Sequence, residues 1–329
     1  MTWLAWRQLR AQAAVVYAAV VLLAALLAAT GPGLARQYHA RGSRFLYGIH
    51  GPDSVLYLAA ALALLALPAI IGMFWGAPLV TRELDAGTHR LTWTMTTRTR
   101  WLLARLGLTG LAAVGAAGLL SLALTWWASP IDAAVAARGG QPGPGLFIFT
   151  RFSPEMFDAR GIVPLGYAAF MFVLGVAIGL LVRRTLPAMA LLLVAFAVVQ
   201  IGISVLIRPH LAAPEHATVT VTTRNFLNYS FGGITVLPGR GGAWVTGQQT
   251  IDAAGRAGLP GWMGPCLMRP DSSMTACIAK FTRLGYRQLI SYQPAARFWA
   301  FQLDETVLYL VLALLVAGLC TWWVQRRVS

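Results

Sequence analysis

Six runs of this chain are each apolar enough, for long enough, to cross a lipid bilayer: about residues 13–30, 55–77, 102–128, 162–182, 186–207 and 305–324. About 20 apolar residues in a helix span the roughly 30 Å of hydrocarbon. Inside lipid every backbone N–H and C=O needs an internal partner, so each run is expected as a helix. None carries a charged residue near its centre. Charged residues make up 11% of the chain, against about 25% in a soluble domain. The expected fold class is an all-α integral membrane protein with six transmembrane helices. An even number of spans puts both termini on one side.

The net charge of +15 reports orientation rather than nucleic acid, because the arginines do not cluster with interleaved aromatics. Arg7, Arg10, Arg82, Arg90, Arg98, Arg100, Arg105, Arg183, Arg184, Arg326 and Arg327 lie in or beside very short segments of one side. The two shorter loops of the other side hold Arg36, Arg41, Arg44, Arg138, Arg151 and Arg160. Arginine density marks the cytoplasmic face, and long loops cross largely regardless of charge. Both termini are therefore expected in the cytoplasm. The first run is longer than a signal-peptide core of about 7–15 residues and reads as an uncleaved anchor. Residues 1–12, with Trp3, Leu4, Trp6, Arg7 and Arg10, read as an interfacial helix or as the start of the first span.

Three domains are expected. Residues 1–207 hold spans one to five, with a cytoplasmic loop at 78–101. Residues 208–304 form a small extracytoplasmic loop domain. Residues 305–329 hold the sixth span and a cytoplasmic tail. Shorter external loops are expected at about 31–54 and 129–161. In the long one, Val219, Val221 and Thr223 alternate as in a strand over 218–223. Cys266 and Cys277 share that segment, where an outside location permits a disulfide; Cys320 lies in the last span. Gly72 with Gly76, and Gly175 with Gly179, are small-xxx-small pairs that let helices approach.

Little in the chain speaks for enzyme chemistry. There is no Gly-x-x-x-x-Gly-Lys-Ser/Thr phosphate loop, no Gly-x-Ser-x-Gly elbow and no His-Glu-x-x-His. His210, Glu215 and His216 have the wrong spacing for a shared metal on a helix face, so no metal is expected. Gln200 is the amide inside a span, with Ser204 one turn later. The pair is either a polar point on a translocation path or an interhelical hydrogen bond. With no ionisable group read at depth, proton or ion coupling is not expected.

Against that background Arg82-Glu83-Leu84-Asp85-Ala86-Gly87-Thr88 is distinctive. Two carboxylates stand in an otherwise basic loop between two spans. The pattern resembles the coupling loop of type-2 ABC exporter permeases, in which a short helix between spans two and three docks into a groove on an ATPase subunit. Phe74-Trp75-Gly76-Ala77-Pro78-Leu79-Val80 and the stretch from Tyr292-Gln293-Pro294 to Phe298-Trp299 resemble the actinobacterial branch of that family. The resemblance implies a cytoplasmic coupling helix in which Arg82, Glu83, Leu84, Asp85, Gly87 and Thr88 engage the ATPase. It implies a bacterial plasma-membrane subunit without its own cofactor, with ATP and magnesium on two partner ATPase copies. It also implies a second permease chain as a homodimer partner, contact with membrane lipid, and no nucleic acid. The expected function is export of an amphipathic or lipid-like cargo; the alternative is an ABC-linked sensor or mechanotransmission subunit that passes no cargo.

Overall fold

The computed structural model describes residues 2–49, 51–79, 81, 98–137, 151–230, 233–237, 239–268 and 273–327. Among them, six helices are long and apolar enough to cross a membrane: Gln12–Tyr47, Pro52–Gly76, Leu103–Trp127, Val163–Val182, Thr185–His210 and Ala295–Arg326.

Helix α1 (Thr2–Arg41) is one continuous rod. Residues 2–12 continue into the first span without forming a separate interfacial helix. The loop expected from residue 31 is also corrected, because α1 runs through Gly31-Pro32-Gly33. Gly31 serves a close contact rather than a turn: a Cβ there would lie 2.5 Å from the Trp126 ring. Trp127 Nε1 donates to Thr30 Oγ1 at 2.9 Å beside it. Helix packing thus holds a segment whose composition reads as a breaker.

Helix α2 (Pro52–Ile71) starts on a proline, whose missing N–H costs nothing at a helix N-terminus. It continues as a π-helical turn over Gly72–Gly76. Helix α3 (Arg98–Trp127) packs along α1. Short helices α4 (Ser129–Ala137) and α5 (Pro154–Phe157) follow. Helix α6 (Val163–Val182) is the bundle axis and the most buried span. It is apolar all round, as a helix surrounded by others should be, and packs on α2, α3, α7 and α10. Helix α7 (Thr185–Gly202) extends through turns at Ile203–Ile207 and Arg208–His210. Helix α10 (Phe298–Arg327) closes the bundle.

Between α7 and α10 the fold departs from all-α. Strands β1 (Glu215–Val219), β4 (Trp244–Ile251) and β5 (Arg287–Gln293) form an antiparallel sheet in the order β1-β5-β4. Strands β2 (Phe226–Ser230) and β3 (Gly233–Val236) pair as a hairpin. Helices α8 (Met263–Met268) and α9 (Met274–Arg283) are joined by the Cys266–Cys277 disulfide, with Cα atoms 6.0 Å apart. Val221, Ile234, Val236, Met263, Phe281 and Ile290 form a core separate from the bundle's. The strand expected over 218–223 lies earlier, at Glu215–Val219. A turn ends it: Asn225 Oδ1 accepts from the Thr222 amide at 2.7 Å, and Asn225 Nδ2 donates to Thr220 O at 2.8 Å.

The α/β unit is seated on the bundle by an aromatic seam. Trp244 of β4 packs on Phe152, which also meets Phe157, Phe298 and Phe301 at ring separations of 5.1 to 5.8 Å. Gln293 Nε2 donates to Ala212 O at 2.7 Å across the same seam.

Candidate functional site

Two regions concentrate the chemistry, one at each end of the bundle. The first is the root of the 78–101 segment. Pro68 lacks an N–H and so loosens α2 one turn before the π-helical turn. There Ala77 N reaches back five residues to Gly72 O at 2.8 Å. The widened turn lies against α6 with almost no side chain between the backbones. A Cβ on Gly175 would be 2.4 Å from Gly72 O, and one on Gly76 would be 2.4 Å from Phe172 O. A Cβ on Gly179 would be 2.6 Å from Ala77 O. The two glycine pairs singled out separately in the sequence thus meet as one contact.

Beyond that contact the chain is pinned twice more. Buried Thr81 donates to Ala77 O at 3.0 Å, and its Oγ1 lies 3.0 Å from Thr185 Oγ1 at the start of α7. Buried Arg105 of α3 donates from Nη1 to Leu79 O at 3.4 Å. Arg82, Glu83, Leu84, Asp85, Gly87 and Thr88 lie outside the described residues.

The second region is a buried charge cluster at the opposite end, beneath the α/β unit. Arg208 grips Glu305 with two hydrogen bonds, Nε to Oε2 and Nη2 to Oε1, both 2.8 Å. Nη2 also contacts Asp158 Oδ1. Gln200 Nε2 donates to Asp158 Oδ2 at 2.6 Å, and Ser204 Oγ to the same oxygen at 3.3 Å. The Phe157 ring lies 4.3 Å from the Arg208 guanidinium carbon. Arg208 and Glu305 are fully buried and Asp158 is 3% exposed. Burial pushes the Asp158 carboxyl up to about 7; Arg208 opposes that shift and the Glu305 carboxylate adds to it.

One turn along α10, Gln302 completes the joint. Its Oε1 accepts from the Ile162 and Val163 amides at 2.8 and 2.9 Å, satisfying donors at the N-terminus of α6. Its Nε2 donates to Phe157 O at 3.0 Å. Gly161, with φ 75°, brings the backbone against this amide. Nearby, Arg160 holds Asp132 of α4 through a two-pronged pair at 2.9 and 2.7 Å.

Gln200 and Ser204 are therefore together, on a carboxylate the sequence reading does not name. Arg208 and Glu305 belong to the helices Thr185–His210 and Ala295–Arg326, towards the ends that face the α/β unit. Reading those runs as 186–207 and 305–324 put both charges at the boundary. The signal that reveals them is spacing, since Gln200, Ser204 and Arg208 recur at i, i+4 and i+8 on one helix face. Elsewhere, His216 Nδ1 meets Ser291 Oγ at 2.9 Å, and Glu215 accepts from the Tyr292 hydroxyl at 2.9 Å. Among the described residues no group of three or more His, Cys, Asp or Glu is placed to hold a metal ion.

No curated protein matches the chain, and no solved structure does. A protein family described as "ABC-2 membrane transporter related" matches residues 15–208, spans one to five and the glycine contact among them. With more than half its length matched, the chain belongs to this family of ABC-2 type membrane permeases.

Proposed function

We propose that the chain is the transmembrane subunit of an ABC exporter. It moves an amphipathic or lipid-like cargo outward, driven by ATP and magnesium on a separate ATPase subunit. Two copies pair as a homodimer in a bacterial plasma membrane, termini in the cytoplasm, and engage two ATPase subunits. The observation that carries this reading is the root of the 78–101 segment. A lever that transmits force must be joined stiffly to the spans it moves. Here Gly72, Gly76, Gly175 and Gly179 remove slack between backbones, while Thr81–Thr185 and Arg105–Leu79 tie the segment's base to α7 and α3. Arg82–Thr88 follows directly from that base. Glu83 and Asp85 pair with a basic rim of the ATPase groove, and Leu84 anchors in it.

Glu83→Ala tests the reading. A charge-assisted hydrogen bond of about 1–3 kcal/mol corresponds to roughly ten-fold weaker ATPase docking. Expression and elution of the permease alone stay normal, and export falls with docking. Arg36→Ala, on exposed α1, is the comparison and leaves docking unchanged. Wild-type docking and export in Glu83→Ala overturn the assignment.

The second reading, a sensor or mechanotransmission subunit, is favoured by a different observation. A cavity of about 330 Å³ lies where the α/β unit meets the bundle, lined by Ser129, Asp132, Arg151, Gly241 and Gly242. A ligand bound there reports to the spans through the aromatic seam and the Arg208 cluster. ATPase stimulation by an external ligand, without transport of it, selects this reading over export.

A further inference from the structure

Where α6 and α10 end, opposite the α/β unit, they leave a groove of about 300 Å³. Ala177, Leu181, Val316, Leu319, Trp322 and Trp323 line it. Leu181 and Leu319 are largely exposed, so the groove opens sideways to the surroundings of the bundle. Arginines stand at the helix ends that bound it. Past Leu181 and Val182, Arg183 and Arg184 close α6, and both are exposed. The Arg326 guanidinium carbon sits 5.6 Å from the centre of the Trp322 ring. Among the described residues none of these three arginines is paired with a carboxylate.

Arg183 adds an independent observation. It closes α6 in the left-handed conformation, φ 58°, with its amide donating to Gly179 O at 2.9 Å. Among the described residues it is the one non-glycine with positive φ. Glycine normally holds this helix-terminal position without strain. An arginine there keeps a cation at the end of α6 at a conformational cost, a pattern that concentrates at ligand sites.

We propose that this groove binds an anionic glycerophospholipid as a resident ligand. An acyl chain lies along the apolar walls, and the headgroup phosphate meets Arg183, Arg184 and Arg326. Tryptophans such as Trp322 and Trp323 prefer headgroup depth, which places the arginines level with the phosphate. Basic pockets between spans are recognised headgroup sites. A second copy of the chain fits less well, since a symmetric contact through this face sets the same arginines against one another.

The test uses the full chain, without ATPase or nucleotide, so failure here leaves the exporter reading standing. Protein in bilayer discs of equimolar phosphatidylglycerol and phosphatidylcholine is released into native mass spectrometry. Wild type retains phosphatidylglycerol in preference. Each of Arg183→Gln, Arg184→Gln and Arg326→Gln lowers that preference about five-fold. Leu319→Trp, a change on an exposed face, fills the groove and lowers total retained lipid. Equal retention of both lipids by wild type overturns the proposal, as does unchanged preference in all three arginine variants. Loss of a dimer in Leu319→Trp without loss of lipid overturns it too, in favour of a contact between chains.

Discussion

The carbonyl oxygen of Gly72 occupies the place that a methyl group on Gly175 would take, 2.4 Å from its ideal position. Both partners are backbone, so neither side can rotate away. Gly175→Ala is expected to destabilise the bundle by about 1–3 kcal/mol, the usual range for overpacking. Gly107→Ala on α3, where an added Cβ meets nothing within 4 Å, is expected to be neutral or to stabilise by up to about 1 kcal/mol. Thermal unfolding of the two variants in detergent separates them; equal midpoints reject the contact.

Removing Arg208 strands two carboxylates in a buried site. Arg208→Met is expected to cost about 3–5 kcal/mol. Lysine is a poor substitute, because it cannot reproduce the two-pronged grip on Glu305. The triple variant Arg208→Met, Glu305→Met, Asp158→Asn removes the charges together and recovers most of the loss. Unfolding midpoints of the three forms give the answer; Arg208→Met as stable as wild type contradicts the cluster's structural role.

Asp158 makes stability pH-dependent in an unusual direction for a carboxyl. Its folded pKa is raised from 3.8 to about 7, so the unfolded chain ionises first as pH rises. The stabilising contribution is complete below the unfolded pKa and is lost as pH climbs through about 7. Unfolding midpoints are expected to fall across that window, and Asp158→Asn is expected to flatten the fall. The same pH slope in both proteins removes Asp158 as its source.

The Cys266–Cys277 bridge clips α8 to α9 across a separation of 11 residues. Replacing both cysteines by serine is expected to weaken the α/β unit by about 2–3 kcal/mol while leaving the spans intact. Hydrogen exchange at Phe281 and Ile290, both in that unit's core, is expected to accelerate; exchange in α6 is expected to stay slow. Matching acceleration in both places shows that the unit does not open independently.

Much of the architecture was legible because bilayer crossing imposes a length and composition that few other constraints imitate. Val163–Val182 is the clearest case: its observed bounds nearly coincide with the expected 162–182. The failures share a cause. Gly31-Pro32 reads as a breaker until Trp126 is known to fill the space beside it. Arg208 and Glu305 stand at the edges of the runs 186–207 and 305–324, and nothing in either run shows that each is the other's partner across 97 residues. Val221 reads as a strand residue until Asn225 turns the chain. In each instance the deciding atom lies far along the chain or in a turn that hydropathy does not register. The glycine pairs were visible in sequence, but not that they face one another. Gln200 and Ser204 were singled out as polar, while Asp158, the group they serve, sits in a loop with no periodic signal.

Helix α1 carries a mechanical implication. At about 1.5 Å per residue, its 40 residues form a rod of about 60 Å, roughly twice the hydrocarbon thickness. Its far part leans on the turn at Gly42–Gly48 and on α4. A rod of that length magnifies rotation: tilting by about 10° around its midpoint swings each tip by about 5 Å. Small rearrangements among the spans would therefore reach the Gly42–Gly48 turn and α4 as displacements the width of a side chain.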